Sequence, residues 1–171
     1  LLTRALHFEE GKVEILGLKG IIIPLSAFCD FQKKLSENIG EKKTFESIKE
    51  IGKSQGKLAA NSGITKFGKL SEKFLELEIG LAEMLGWGKF EIVNIDLKDA
   101  KSVIHVQSNF AKEYLQKFGK SKQPIDYFLT GLIEGFSENF IKKPVICKET
   151  ICIGMGNSYC EFIVKSKQSS N

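Results

Sequence analysis

Apolar residues recur at every third or fourth position along five segments of the chain, a spacing that places them on one face of an α-helix. This pattern predicts helices over residues 27–38, 44–61, 65–85, 110–118 and 125–140. Gly40, Gly86 and Gly119 follow three of these segments, as glycine commonly does after the last turn of a helix.

Strands are predicted where apolar and polar residues alternate, or where a short apolar run lies between turn residues. Residues 12–16 and the isoleucine run 21–23 predict an opening hairpin, and residues 89–97 and 102–107 predict a second one. The stretch 144–164 has two β-rich arms joined by 154–158, the composition of a third hairpin. The resulting order is ββ, three helices, ββ, two helices, ββ. This order indicates an α+β fold, an antiparallel sheet built from hairpins with helices packed on it.

Two glycines interrupt the second predicted helix, Gly52 and Gly56. Each weakens a helix by about 1 kcal/mol relative to alanine, so their presence needs a reason. Being four residues apart, they share a face and would allow another helix or a ligand to approach closely. The alternative is a locally weak helix without functional meaning.

Length and composition narrow the classes of protein that need to be considered. The 171 residues suit one domain, which we assign to 9–165, with tails at 1–8 and 166–171. The net charge is +4, but Arg4 is the only arginine, which argues against direct nucleic-acid binding by this domain. The four cysteines, the lack of a signal peptide and the lack of an apolar run of about 20 residues predict a cytoplasmic protein with reduced thiols and no membrane contact.

Three of the four cysteines lie within fourteen positions of the closing stretch, together with Glu149. Pairing of its two arms would bring Cys152 and Cys160 together, and two thiolates with a carboxylate suit Zn²⁺. The alternative is that these are small buried apolar residues. Strand alternation places Cys147 and Glu149 on one face and Cys152 on the other, unless a β-bulge intervenes.

No catalytic constellation is recognisable. With two histidines the chain offers no convincing Ser-His-Asp arrangement, and it has neither a glycine-rich phosphate loop nor a redox Cys-x-x-Cys motif. We therefore predict no catalytic residues and a protein that is not an enzyme.

Aromatic residues point instead to a ligand pocket. The chain has thirteen phenylalanines, many of them on the apolar stripes of the predicted helices, and such stripes can line a cavity for a small hydrophobic molecule or simply fill the core. Trp87 lies between two glycines at a helix-to-strand junction, where its side chain can contact a ligand or pack in the core. His105 shares a strand face with Val103, as a half-buried structural histidine also would. The candidate ligand-binding residues are Trp87, Phe67, Phe74, Phe128 and His105.

The last part of the chain carries a recognisable motif. It reads Pro124-x-Asp126-x-Phe128-x2-Gly131-x3-Gly135 followed by Glu149-x-x-Cys152-x3-Gly156-x3-Cys160-x-Phe162. This motif resembles the C-terminal signature of the 4-vinyl reductase domain family, whose members include sensory domains of aromatic-responsive transcriptional activators. The family is also distantly related to subunits of the TRAPP vesicle-tethering complex. The resemblance implies a TRAPP-like or 4-vinyl reductase-like ligand-binding fold.

The resemblance also implies a metal site. In the aromatic-sensing relatives the Glu and the two Cys of the motif bind zinc, with a further Cys two residues after the proline. At that position this chain has Asp126, so the implied ligands of a structural zinc are Cys152, Cys160, Glu149 and Asp126, with Cys147 in reserve. A site with two sulfur and two oxygen ligands is less common than one rich in sulfur.

Together these features predict a sensory domain that binds a small hydrophobic or aromatic molecule, forms a homodimer and regulates transcription or an associated enzyme. The alternative is a TRAPP-like protein-interaction scaffold with no small-molecule ligand. A role in tetrapyrrole metabolism rests on the family name alone.

Overall fold

The computed structural model describes residues 6–15, 17–67, 71–96 and 98–167, except for the side chains of residues 66, 67 and 72. The strands are β1 (Leu6–Glu9), β2 (Lys12–Ile15), β3 (Leu18–Gly20), β4 (Gly88–Asp96), β5 (Lys101–Ser108), β6 (Val145–Ile151) and β7 (Cys160–Ser166). The helices are α1 (Leu25–Ile39), α2 (Glu41–Phe67), α3 (Glu72–Met84), α4 (Asn109–Phe118) and α5 (Tyr127–Ile141), and a 3₁₀ turn, Ile153–Met155, precedes β7. The predicted α+β fold is confirmed.

The main sheet has four antiparallel strands in the order β4-β5-β7-β6. Its two hairpins, β4–β5 and β6–β7, are joined by the pairing of β5 with β7. Buried and more exposed residues alternate along β6 and β7, because successive side chains of a strand point to opposite faces. The buried face packs against α4 and α5 and forms the core of the domain.

Helices α2 and α5 pack with their backbones in direct contact. A Cβ atom added at Gly52 or Gly56 would overlap the carbonyl oxygen of Phe128 or Leu132, respectively. On the facing helix, a Cβ at Gly131 or Gly135 would overlap a carbonyl oxygen of α2. Of the two explanations for the α2 glycines, the structure therefore supports close approach of another helix. We call this four-glycine contact the glycine seam.

Ion pairs run alongside the glycine seam. Lys53 Nζ lies 2.9 Å from Glu134 Oε1 and 2.8 Å from Glu138 Oε1, so one lysine of α2 bridges two glutamates of α5. Lys49 Nζ lies 2.6 Å from Glu134 Oε2, and Lys57 Nζ lies 3.1 Å from Glu138 Oε2. Because Glu134 is buried, Lys49 and Lys53 compensate a charge that would otherwise be costly to remove from water.

The opening of the chain differs from the prediction. Strands β1, β2 and β3 form a three-stranded antiparallel sheet, and the strand predicted over residues 21–23 is instead Leu18–Gly20. Ile21, Ile22 and Ile23 follow β3 and are 78%, 77% and 55% exposed. The prediction was wrong because an apolar run indicates a strand only where another surface covers it. With β1 starting at Leu6 and β7 ending at Ser166, strands extend slightly beyond the predicted bounds 9–165.

The boundary between the second and third helices also differs. Helix α2 continues to Phe67, and α3 begins at Glu72, where the sequence had suggested a break after 61 and a new helix from 65. Gly63, which favours a break, lies under the ring of Phe74, where a Cβ atom would have no room. This contact with α3 outweighs the low helix propensity of glycine.

None of the described helices is both long and apolar enough to cross a membrane.

Candidate functional site

A cavity of about 130 Å³ lies between helices α2, α3 and α5 and the inner face of strands β4 and β5. Its wall is almost entirely apolar, with Leu75 and Ile79 from α3, Ile92 and Ile104 from the sheet, and Phe136 from α5. The sequence leaves space there because α2 presents small residues, Gly56 and Ala59. The same glycine that lets α5 approach α2 therefore also contributes to the cavity wall.

One acidic residue, Glu78 of α3, lies on the described wall of this cavity. Its Oε1 atom is buried and has no hydrogen-bond partner among the described residues. Burial raises the pKa of the Glu78 carboxyl to about 7, because the charged form loses hydration. Sequence analysis missed this residue, although a signal was present. Glu78 lies four residues after Phe74 and three before Leu81, inside an otherwise apolar stripe.

The structure places four of the five predicted ligand-binding residues, Trp87, Phe74, Phe128 and His105, outside the described wall of this cavity. Trp87 stacks on Phe128, with ring centroids 4.9 Å apart, and Phe74 stacks on Phe136 at 6.0 Å. His105 lies on the opposite face of β5 from Ile104, and its Nε2 is 3.1 Å from Glu161 Oε2. None of these predicted residues is among the described residues that line the cavity. The side chain of Phe67 falls outside the described part of the chain. All five ligand-binding assignments stay predictions.

A second cluster joins the last hairpin to the start of α5. Glu149, Cys152 and Cys160 each offer one ligand atom, and these three atoms lie within 4.8 Å of one another. A β-bulge between Glu149 and Ile151 shifts the register of β6. The bulge offsets the strand alternation, which would otherwise have turned Cys152 away from Glu149. The strand periodicity of the sequence alone could not reveal this bulge.

Asp126, the predicted replacement for a cysteine ligand, borders this cluster. It is 1% exposed and lies at the N-cap position of α5. Its Oδ2 atom is 4.0 Å from Cys160 Sγ, and its backbone N–H donates to Glu149 Oε2 at 2.9 Å. Cys147 lies apart from the group. It is buried under α5, where its backbone N–H donates to Glu134 Oε2.

The cluster concentrates ionisable groups away from water. Burial raises the pKa of Glu149 to about 9 and raises that of Asp126. Hydrogen bonding between the thiols lowers the pKa of Cys152 and raises that of Cys160, which shows that the pair favours a single negative charge. Backbone N–H groups of Ile153 and Gly154 donate to the two sulfurs at 3.3 and 3.2 Å, which stabilises thiolate charge.

The donor set fits a zinc ion. Oε1 of Glu149 is buried without a hydrogen-bond partner among the described residues, so a strong acceptor is left unused beside two sulfurs. A divalent cation would supply the missing partner and favour the deprotonated forms of all these groups. With Asp126 as a fourth ligand, protein atoms would fill the coordination positions of a tetrahedral site.

Residues 107–166, from the end of β5 through β7, match the sequence model of the V4R domain. The predicted resemblance to the 4-vinyl reductase family is thus confirmed where the motif lies.

Three solved structures share the fold of the chain. The phenol-responsive sensory domain of the transcription activator PoxR, solved with phenol, has a TM-score of 0.86 at 21% identity over 96% of this chain and 86% of that one. A vinyl-4-reductase family protein of Methanocaldococcus jannaschii has a TM-score of 0.59 at 21% identity over 87% and 85%. A trafficking protein particle complex subunit 3 of Naegleria fowleri, covalently bound to palmitic acid, has a TM-score of 0.57 at 16% identity over 84% and 95%. These likenesses establish the V4R-like and TRAPP-like fold.

Two curated sequences are also similar to this chain. The transcriptional regulatory protein XylR of Pseudomonas putida is 20% identical over 169 residues, which are 93% of this chain and 29% of XylR. An uncharacterized protein of Methanocaldococcus jannaschii is 28% identical over 117 residues, 67% of this chain and 63% of that protein. The chain therefore spans less than two thirds of the length of each of these relatives.

Proposed function

We propose that this chain is a sensory domain that binds one small hydrophobic or aromatic molecule in the cavity between α3, α5 and the sheet. The observation that carries the proposal is the cavity itself, about 130 Å³ with an almost wholly apolar wall. An engineered apolar cavity of about 150 Å³ in another protein binds benzene, so this volume suits a molecule with one ring.

The similar proteins support a regulatory role. The chain shares its fold with a phenol-responsive domain of a transcription activator, and 93% of it aligns with part of the regulator XylR. Because it matches only 29% of XylR, the output of such a regulator would reside in other parts of a protein or in a partner. We propose a cytoplasmic homodimer that senses a ligand, neither catalyses a reaction nor contacts DNA itself, and passes the signal on.

We propose a structural zinc at the cluster of Glu149, Cys152, Cys160 and Asp126. Four protein ligands leave no open position for water or substrate, so the ion would stabilise the fold and supply no catalysis. The ion would connect β6 and β7 to the first turn of α5. Helix α5 also lines the cavity through Leu129 and Leu132. In this way the zinc site would hold one wall of the cavity in place.

Binding to the cavity can be tested with a variant that fills it. Ala82 of α3 lies on the wall, and Ala82→Leu would place three further carbon atoms in the space. We expect isothermal titration calorimetry and thermal-shift assays to detect binding of benzene or phenol to the wild-type protein. We expect at least tenfold weaker binding to Ala82→Leu. The control is Ala27→Leu on the exposed face of α1. Equal affinity in wild type and Ala82→Leu would contradict binding in this cavity.

One observation favours the alternative of an interaction scaffold. The isoleucine segment 21–23 exposes three large apolar side chains in succession, which is typical of surfaces that contact another chain. This segment is compatible with the dimer of the first proposal as well. The presence of an apolar cavity is what favours the sensor, because a scaffold without a ligand has no need of one.

A further inference from the structure

Glu78 is an unusual component of the cavity wall. The other described polar side chains of the wall are those of Ser102 and Ser137, and the rest of the wall is apolar. Glu78 Oε1 is buried and makes no hydrogen bond to any described residue. A polar group left in this condition destabilises the folded protein, and more so when it is charged.

The described residues of the cavity wall offer this carboxyl no positive charge. Of the described residues that line the cavity, none is lysine, arginine or histidine. The contrast with Glu134 is informative, because that buried glutamate has ion pairs with both Lys49 and Lys53. A buried carboxyl oxygen that has no described partner, on a residue of an apolar cavity wall, is a group that a ligand can satisfy.

The pKa of Glu78 is raised to about 7, and burial is the cause. The ionised form is therefore present at neutral pH but unfavourable, and a positive charge nearby would stabilise it. A neutral hydrogen-bond donor would satisfy Oε1, but it would leave the charge of the carboxylate uncompensated. An anionic ligand would be repelled.

The serine hydroxyls add to this preference. An ammonium group has three N–H donors, and a buried donor without an acceptor is costly. Glu78 on α3, Ser102 on β5 and Ser137 on α5 each contribute an oxygen that can accept a hydrogen bond, from three different elements of the wall. The polar side chains of the described wall can thus all accept a hydrogen bond, the serine hydroxyls can also donate one, and the rest of the wall suits a hydrocarbon ring.

We propose that Glu78 is the residue that determines ligand specificity, and that the cavity selects a ring-sized apolar molecule bearing a basic amine over isosteric alcohols and hydrocarbons. This inference rests on the proposed function, because it concerns the ligand of the same cavity. The amine lies against the Glu78 carboxylate, and the ring lies against Ile92, Ile104 and Phe136.

Three probes of nearly equal shape test the proposal: benzylamine, benzyl alcohol and ethylbenzene. Their dissociation constants would be measured by calorimetry at pH 7.5 for the wild type, Glu78→Gln and Glu78→Leu. The matched control is Glu76→Gln, which removes the same charge from the exposed face of α3. Thermal unfolding of each variant checks that it is folded. Removal of an unpaired buried carboxyl is expected to leave the fold intact or more stable.

We expect the wild type and Glu76→Gln to bind benzylamine at least tenfold more tightly than benzyl alcohol, and ethylbenzene least tightly. In Glu78→Gln the preference for the amine should fall at least tenfold, and Glu78→Leu should bind ethylbenzene best. An unchanged preference in Glu78→Gln, or a wild type that favours the alcohol or the hydrocarbon, would overturn the role of Glu78 while leaving a ligand-binding cavity. No binding of any probe to any variant would instead overturn the proposed function together with this inference.

Discussion

Replacement of Gly52 by alanine tests whether the glycine seam holds the domain together. In an exposed helix this change stabilises the protein by about 1 kcal/mol, because alanine has the higher helix propensity. At Gly52 the new Cβ would overlap the carbonyl oxygen of Phe128 and lie 3.0 Å from the backbone nitrogen of Leu132. Both contacts are with backbone atoms, so no side chain can rotate to make room, and the two helices must separate.

The magnitude follows from two opposing contributions. Adding a methyl group to a packed interface typically costs about 1–3 kcal/mol, and a gap of about 0.5–1 Å forfeits a quarter to a half of the local dispersion energy. Separation of α2 from α5 would also lengthen the Lys53–Glu134 ion pair, now 2.9 Å. The contact is with backbone atoms, so we take the upper end of this range, and subtraction of the helix-propensity gain leaves a net loss of about 2 kcal/mol. For a domain of this size that corresponds to a Tm lower by about 4–8 °C.

Urea denaturation followed by circular dichroism measures this loss directly. The variants Ser54→Gly and Ser54→Ala, at an exposed position of α2, measure the propensity difference on the same helix without the contact. The double variant Gly52→Ala, Gly56→Ala should lose less than the sum of its single changes, because one separation accommodates both methyl groups. If Gly52→Ala were as stable as the wild type, backbone contact between α2 and α5 would be refuted.

Two further predictions concern ionisable groups. Because the Glu78 carboxyl titrates at about 7 in the folded protein and near 4.5 when exposed, the unfolded chain loses its proton first, and stability should fall as pH rises from about 4.5 to 7. In denaturation curves taken across that range, Glu78→Gln should lack the loss of stability that titration of Glu78 causes. A wild-type pH profile identical to that of Glu78→Gln would contradict the raised pKa. At the second cluster, purified protein should contain about one zinc per chain by elemental analysis, Cys152→Ser should lose it, and Cys147→Ser should keep it. Metal-free, fully folded wild-type protein would show that the cysteines are core residues.

The order of elements could be predicted because most of them are amphipathic, and the spacing of their apolar residues distinguishes helices from strands. Helix α5 buries Leu129 and Ile133, four residues apart, and β6 buries every second residue from Val145. Such patterns are local, so they are visible without knowledge of the partner that covers them. The same holds for the closing motif, whose cysteines and glutamate could be grouped by their spacing and family resemblance.

Features that depend on contacts between distant segments could not be predicted. Whether Gly63 ends a helix depends on the ring of Phe74, which comes from the next helix. The bulge after Glu149 depends on how β6 pairs with β7, and a cavity is the space that several elements leave unfilled. The predicted ligand residues were chosen because they are aromatic, yet Trp87 and Phe128 pack on each other and a single glutamate distinguishes the cavity wall.

The glycine seam has a consequence for how a bound ligand could be signalled. Two helices whose backbones touch, with lysines bridging to glutamates alongside, cannot slide or tilt independently, so α2 and α5 should move as one rigid body. The thiol and carboxylate cluster further restrains the first turn of this pair at Asp126. Among the described residues of the helices that line the cavity, those of α3 contribute nothing to the seam. Expansion of the cavity on ligand entry is therefore expected to displace α3, which makes that helix the moving part of the domain.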